Sequence, residues 1–449
     1  MEHLIATEGG RDMEKFSVVI EAKSLKDLRD LDQFDLDIQR RAARKIDERM
    51  LVVPGVLTKE QIQQLEAKGY RVKIIADLSQ IGKERALDIS RVDRFASVEG
   101  VREFKELKAP AKYLSTQEVE TALLTLVKEY PKNATLIELP NKTHMNQTSH
   151  AVRIHTGRKR IRPGVLFTGS MHAREWGGSD ACISFLFNLL GTYQNKLDMV
   201  YGGKTYTKGD VKKILESLDI FVFADVNPDG KEYSQTVDTW WRKNRNPRGP
   251  VDINRNFDFL WNSGIGSSSN SSSEVYHGTA PLSEPETKNV VYLFDTYPNI
   301  NYYMDIHSYS GLVMYPWGDD QSQSTDSNQN FKNPAYDGIR GKIGDVAYKE
   351  YMPKDIESKL AILGKRMNAA LAAVRGTKYV VQQSVGLYPT SGTSDDYALS
   401  RQFIDPKKVL IYAFCVEFGK EFIPPYSEMS EIIKDLGAAM TELCLAASG

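Results

Sequence analysis

From about residue 113 onward, short apolar runs rich in β-branched and aromatic residues alternate with stretches of helical periodicity, and this alternation restricts the chain to an α/β architecture. The runs are "GVLFTG" at 164–169, "LDIFVFAD" at 218–225, "NYYMDI" at 301–306, "KYVVQ" at 378–382 and "VLIYAFCV" at 409–416. Helical patterns follow Gly178, begin at Ser283, run through 356–374 and close the chain from Ser427. The expected fold is a central mixed, mostly parallel sheet flanked by helices, occupying residues 111–449.

Residues 1–110 read as a separate, smaller α/β unit. A strand at 17–22 and a helix at 24–31 are followed by a short strand at 36–38, a strand at 50–57, a helix capped by Thr58 and a strand from Tyr70. That β-α-β-β-α-β order predicts a ferredoxin-like layer, although 39–48 is more helical than a plain hairpin needs. The charged, weakly periodic stretch 81–107 is the natural connector. Two low-complexity segments, "GIGSSSNSSS" at 264–273 and "DDQSQSTDSNQN" at 319–330, read as mobile surface loops.

Composition narrows the function classes. Lys and Arg total 58 against 59 Asp and Glu, a formal net charge of −1, so no overall basic field exists to gather nucleic acid or an anionic membrane. The longest apolar runs, such as 181–190, fall short of the roughly 20 residues that span a bilayer. The first residues lack a basic, then apolar, secretory leader, so a cytoplasmic protein is expected unless a leader has been removed. The three cysteines, Cys182, Cys415 and Cys444, lie in apolar runs without metal spacing, which argues against disulfides and against thiolate zinc.

In open α/β sheets ligands collect at the carboxyl ends of strands. Here those ends carry titratable clusters: His172 and Glu175 in "MHAREW", then Asp225, Asn227 and Asp229, then His307, then Glu417. A histidine, a glutamate three residues on and a distant second histidine match the His₂Glu ligand set of hydrolytic zinc sites, which leaves a position for water. A lone HxxE describes a capping histidine and a first-turn glutamate equally well, so the surrounding motifs have to decide.

"MHAREW", "WWRKNRNP", "VDINRNFD", "DIHSYSGLVMYPWG", "SEPET", "LYPTSGTSDDY" and "VEFG" occur in that order. Together they resemble the zinc metallocarboxypeptidase family that includes pancreatic carboxypeptidases A and B, over roughly three quarters of the chain. The resemblance implies a zinc-dependent exopeptidase whose partners are peptide and protein C-termini. It makes His172, Glu175 and His307 the zinc ligands and Glu417 the general base. It also implies that Arg245, rather than its neighbours Arg242 and Arg248, stabilises the oxyanion. Asn254 and Arg255 would grip the substrate's terminal carboxylate, and Arg174 would assist binding. Tyr388 would close over the bound residue on a loop freed by Gly386 and Gly392. Asp252 would orient a liganding histidine. The remaining histidines have no partner at ligand spacing.

The same pattern puts Asp395 at the base of the pocket for the departing side chain, where a carboxylate favours Lys or Arg. Residues 1–110 stand where the family often carries a propeptide, so intramolecular inhibition relieved by a cut in the connector is an expectation, beside a permanent scaffold role. The chain departs from the pancreatic pattern in a short segment after Glu417, the missing cysteine pairs and a long insertion at 319–355. Other readings of the site are a zinc hydrolase of N-acyl amino acids or cell-wall peptides, and a non-catalytic binder of C-terminal tails.

Overall fold

The order of strands in the main sheet decides which side chains can meet. A computed structural model describes residues 14–97, 112–156, 162–342, 344, 346–386 and 388–449. Its eight-stranded sheet runs Val380–Gln383, Leu312–Tyr315, Tyr412–Phe418, Ile300–Ser308, Gly164–Gly169, Asp219–Phe223, His150–Ile154, Ala134–Glu138. The middle strands, from Tyr412–Phe418 to Asp219–Phe223, are all parallel, and antiparallel pairs lie towards both edges. Every residue of Gly164–Gly169 and Asp219–Phe223 is buried, as strands covered on both faces require. The Gly177–Asn195 helix packs on Gly164–Gly169 and Ile300–Ser308, and the Ser394–Ile404 helix on Ile300–Ser308 and Tyr412–Phe418.

The turn between Gly164–Gly169 and Gly177–Asn195 is unusually close. A Cβ on Gly169 would lie 2.8 Å from the carbonyl carbon of Gly178, and one on Gly178 would lie 2.9 Å from the amide nitrogen of Ser170. Only paired glycines let the helix start against the strand end, and this contact folds residues 170–176 over the carboxyl edge of the sheet.

The amino-terminal residues build a second sheet in the order Asp37–Ile38, Met50–Thr58, Lys15–Ala22, Arg71–Asp77, with Arg44–Asp47 added on Met50–Thr58. Thr58 caps the Lys59–Ala67 helix through a reciprocal box with Gln61. The 39–48 stretch holds only one helical turn, Arg40–Ala42, before it becomes a strand. The start of the expected connector is also ordered: the Leu78–Ala86 helix runs into it, and Trp240 Nε1 donates to the Leu78 carbonyl at 2.8 Å. The rest of the connector beyond residue 97, and the boundary near 110, lie outside the described residues.

The low-complexity segments are not wholly surface loops. Ser273, Asp319 and Asp320 are buried, because Ser273 takes the Lys243 ammonium on its carbonyl at 2.7 Å and the insertion folds back on Glu350. The three cysteines are buried and free. Among the described residues no helix is long and apolar enough to cross a membrane.

Candidate active site

His172 and Glu175 sit in the strand-to-helix turn, and His307 is near the end of Ile300–Ser308. The Nδ1 atoms of the two histidines lie 3.1 Å apart, with Glu175 Oε1 2.8 Å from one and Oε2 2.9 Å from the other. All three donors lie within 4.8 Å of one another and all three residues are buried. The outer nitrogens are held by carboxylates, His172 Nε2 at 3.1 Å from Asp252 Oδ1 and His307 Nε2 at 2.8 Å from Asp305 Oδ2. Those bonds turn both Nδ1 atoms inward, an arrangement suited to a divalent cation.

Glu417 is the in-register neighbour of His307 on the adjacent parallel strand. Burial, reinforced by the negative Glu175, pushes its carboxyl up to about 7, and its Oε2 is buried without a hydrogen-bond partner among the described residues. A carboxylate in that state beside a cation site is poised to take and return a proton.

The expectation for Arg245 is corrected. Its guanidinium carbon lies 3.6 Å from the Tyr233 ring centre and 4.7 Å from that of Trp241, a stacked position that takes it out of the cluster. Arg242 takes the place beside the ligands, with Nη1 4.0 Å from Glu175 Oε1 and Nη2 donating to Asp252 Oδ2 at 2.8 Å. The reason is a backbone bond: the Ala173 amide donates to the Arg242 carbonyl at 2.9 Å, which ties that residue to the His172 turn.

Asn254 and Arg255 lie in a single turn capped by Asp252. Asn254 Nδ2 is 3.4 Å from His307 Nε2, and its Oδ1 accepts from the Ser394 amide at 2.8 Å. Arg255 donates to the carbonyls of Gly266 and Asn254, and burial, with Arg242, Arg41 and Arg40 adding to it against Asp252, pushes its pKa down to about 9. This is a guanidinium in need of an anion. Gly392 is not a hinge: its carbonyl accepts from Phe257 at 3.1 Å and its amide donates to Phe259 at 2.8 Å.

The other expected substrate residues are held by the amino-terminal unit, by one strand residue and two residues of its short helical turns. Arg174 Nη2 donates to Asp37 Oδ1 at 2.8 Å, Tyr388 bonds Asp32 through its hydroxyl, and Asp395 Oδ1 accepts from Arg41 Nη2 at 3.1 Å. Tyr388 even joins the buried apolar cluster of that unit, which includes Leu36, Ile38 and Leu57.

A family model described as zinc carboxypeptidase matches residues 119–439. The chain belongs to the zinc carboxypeptidase family. Carboxypeptidase A1 of Sus scrofa is 28% identical over 404 residues, covering 87% of this chain and 84% of its own length. Zinc carboxypeptidase A 1 of Anopheles gambiae is 29% identical over 296 residues, 65% of this chain and 57% of its own length, so the match spans little over half of that relative. The crystal structure of carboxypeptidase A from Helicoverpa armigera shares the fold, with a TM-score of 0.72 at 20% identity over 98% of this chain and 99% of that one.

The zinc carboxypeptidase family is one of metal-dependent peptide-bond hydrolases, and the donor set of His172, Glu175 and His307 fits its zinc. Asp305 escaped the sequence reading, although its place two residues before His307 on a strand puts both on one face. His144 also has partners, contrary to expectation. Its Nε2 lies 2.9 Å from Glu284 Oε2, with Glu286 nearby. The Asn244 amide donates to both of those carboxylates, at 2.8 and 3.1 Å, and so fills the space between them as a hydrogen-bond network.

Proposed function

We propose that this chain removes single residues from peptide C-termini, with a preference for basic side chains. The observation that carries the reading is a set of groups brought together: an inward-facing His₂Glu cluster, Glu417 in register with His307, and buried Arg255 next to Asn254, whose amide reaches His307. Arg255 and Asn254 bind the terminal carboxylate, which limits cleavage to the last peptide bond. Arg242 draws on the scissile carbonyl oxygen as negative charge grows there. Glu417 takes a proton from the attacking water and passes it to the departing amine. Zinc, when bound, makes that water more acidic and polarises the carbonyl. Asp252 and Asp305 keep the histidine rings in position throughout. Asp395, fully buried, is the charge that favours a Lys or Arg side chain.

The amino-terminal unit holds the enzyme inactive. Asp37 occupies Arg174, Asp32 occupies Tyr388 and Arg41 occupies Asp395, so three substrate-binding residues are engaged at once.

The test is mass spectrometry of peptides that differ only in their last residue, incubated with intact protein and with protein cut in the connector, each with and without chelator. Chelator-sensitive loss of one C-terminal Lys or Arg, from cut protein only, supports both statements. Equal activity of the intact chain removes the inhibitory role, and release of Phe or Leu removes the basic preference. No release at all shifts the reading to N-acyl amino acids or to recognition of C-terminal tails.

A further inference from the structure

We infer that Arg41 is a built-in substrate mimic, an arginine side chain lodged in the specificity pocket, and that the pocket is shaped for an alkylguanidinium. The inference rests on the reading of Asp395 as the base of that pocket. It adds the identity of the occupant and narrows the substrate class to peptides ending in arginine.

Arg41 lies in the Arg40–Ala42 turn that links the strands Asp37–Ile38 and Arg44–Asp47. A loop arginine on a small unit would ordinarily extend into water, because arginine is almost never buried without a partner. Here it crosses to a residue 354 positions away. The Arg41 side chain is 9% exposed and that of Asp395 0%, so the pair is dry. The second oxygen of Asp395 accepts from Ser384 Oγ at 2.9 Å, which leaves Oδ1 directed at the guanidinium.

The surroundings of the guanidinium locate it within the cleft. It feels Asp395 most strongly and then Cys415, Asp396 and Glu417, while Arg255 and Glu417 in turn feel its charge. Its charge thus reaches both Glu417 and Arg255, the groups proposed for proton transfer and for the carboxylate clamp, while its one direct ion pair is with Asp395.

The mimic is incomplete in one respect. The chain continues from Arg41 into Ala42, so no free carboxylate accompanies the side chain, and Arg255 bonds backbone carbonyls instead. Arg41 therefore blocks the pocket without presenting a scissile terminal bond. A peptide ending in arginine makes the same Asp395 contact and an additional one to Arg255, whereas an apolar terminal residue has no claim on Asp395. Guanidinium is favoured over ammonium because it is the more weakly hydrated cation and loses less on entering a dry pocket.

The experiment uses the full chain carrying Arg41→Ala, assayed on hippuryl-arginine, hippuryl-lysine and hippuryl-leucine, with butylguanidinium or butylamine added as a replacement side chain. Hydrolysis of hippuryl-arginine should rise about tenfold or more over the unaltered chain, since a buried ion pair has been opened. Butylguanidinium should restore the block competitively and butylamine should do so poorly. Adding Asp395→Ala should abolish the effect of butylguanidinium. Arg41→Lys keeps a cation against Asp395 and carries the same test if the alanine variant does not fold, with a smaller rise and the same response to butylguanidinium. A rise that butylguanidinium cannot reverse overturns the mimic, and so does release of activity by Asp37→Ala but not by Arg41→Ala; hydrolysis of the arginine substrate in either case leaves the basic-pocket reading standing. Preference for hippuryl-leucine would remove that reading and the mimic with it.

Discussion

His172 and His307 turn their Nδ1 atoms towards each other across 3.1 Å while each passes its Nε2 to a different carboxylate, Asp252 for one and Asp305 for the other. The symmetry of this arrangement makes the two carboxylates equivalent in what they do for the metal. Asp305→Asn and Asp252→Asn are each expected to weaken zinc binding by about 10- to 100-fold, the range for partners that orient a liganding histidine. Competition with a chromophoric chelator measures this directly, and an unchanged affinity for Asp305→Asn would remove Asp305 from the site.

The exchange of arginines gives a sharper test. Arg242→Ala should lower kcat by about 10²- to 10³-fold, as loss of an oxyanion donor does. Arg245→Ala should leave kcat within about threefold and cost only the stacking on Tyr233 and Trp241, roughly 1 kcal/mol. Steady-state kinetics on protein cut in the connector separates the two, and the reverse ranking would restore Arg245.

Gly392 has φ +68°, and a Cβ there would lie 2.2 Å from the Arg255 carbonyl oxygen. Gly392→Ala combines left-handed backbone strain with a clash against main chain, so a loss of roughly 2–4 kcal/mol is expected. Denaturant unfolding and soluble yield would show it, and wild-type stability would mean that the 390–393 segment relaxes away from Arg255.

The insertion provides a pH-dependent property. Burial, with Glu350 facing it, pushes Asp319 well above the usual carboxylate range, and burial holds Glu350 up at about 7. Both groups bind protons more tightly in the folded chain than in the unfolded one. Their contribution is therefore present in acid below the usual carboxylate range and is lost as pH rises from there, through about 7 for Glu350 and on to the raised pKa of Asp319. Asp319→Asn should raise the melting temperature by roughly 2 °C at pH 8 and by much less at pH 5. An equal shift at both pH values would mean that the pair does not share a proton.

The sequence revealed those parts of the site that follow from local pattern. His172 and Glu175 follow one recognisable strand, His307 and Glu417 lie near the ends of two others, and the strand order then brings them together. Asp305 is equally legible in principle, since residues two apart on a strand share a face, but an aspartate within an apolar run carries no local pattern that separates it from the core around it. Arg242 could not be separated from Arg245, because the loop between the Pro228–Thr236 helix and Asp252 has no period, and only the bond to Ala173 selects between them. The engagement of Asp395 by Arg41 was invisible for another reason: it joins two units through one side chain, and nothing in either segment refers to the other.

Glu417 and His307 are in-register neighbours on parallel strands in the middle of the sheet. Their separation is therefore fixed by the main-chain ladder of the largest core in the molecule, and no loop has to rearrange to bring base and ligand together. On the proposed inhibitory reading, release of the amino-terminal unit has only to uncover groups that are already in place. A cut in the connector is then expected to give full rate at once, without a maturation lag, and a slow rise after complete cleavage would count against that reading.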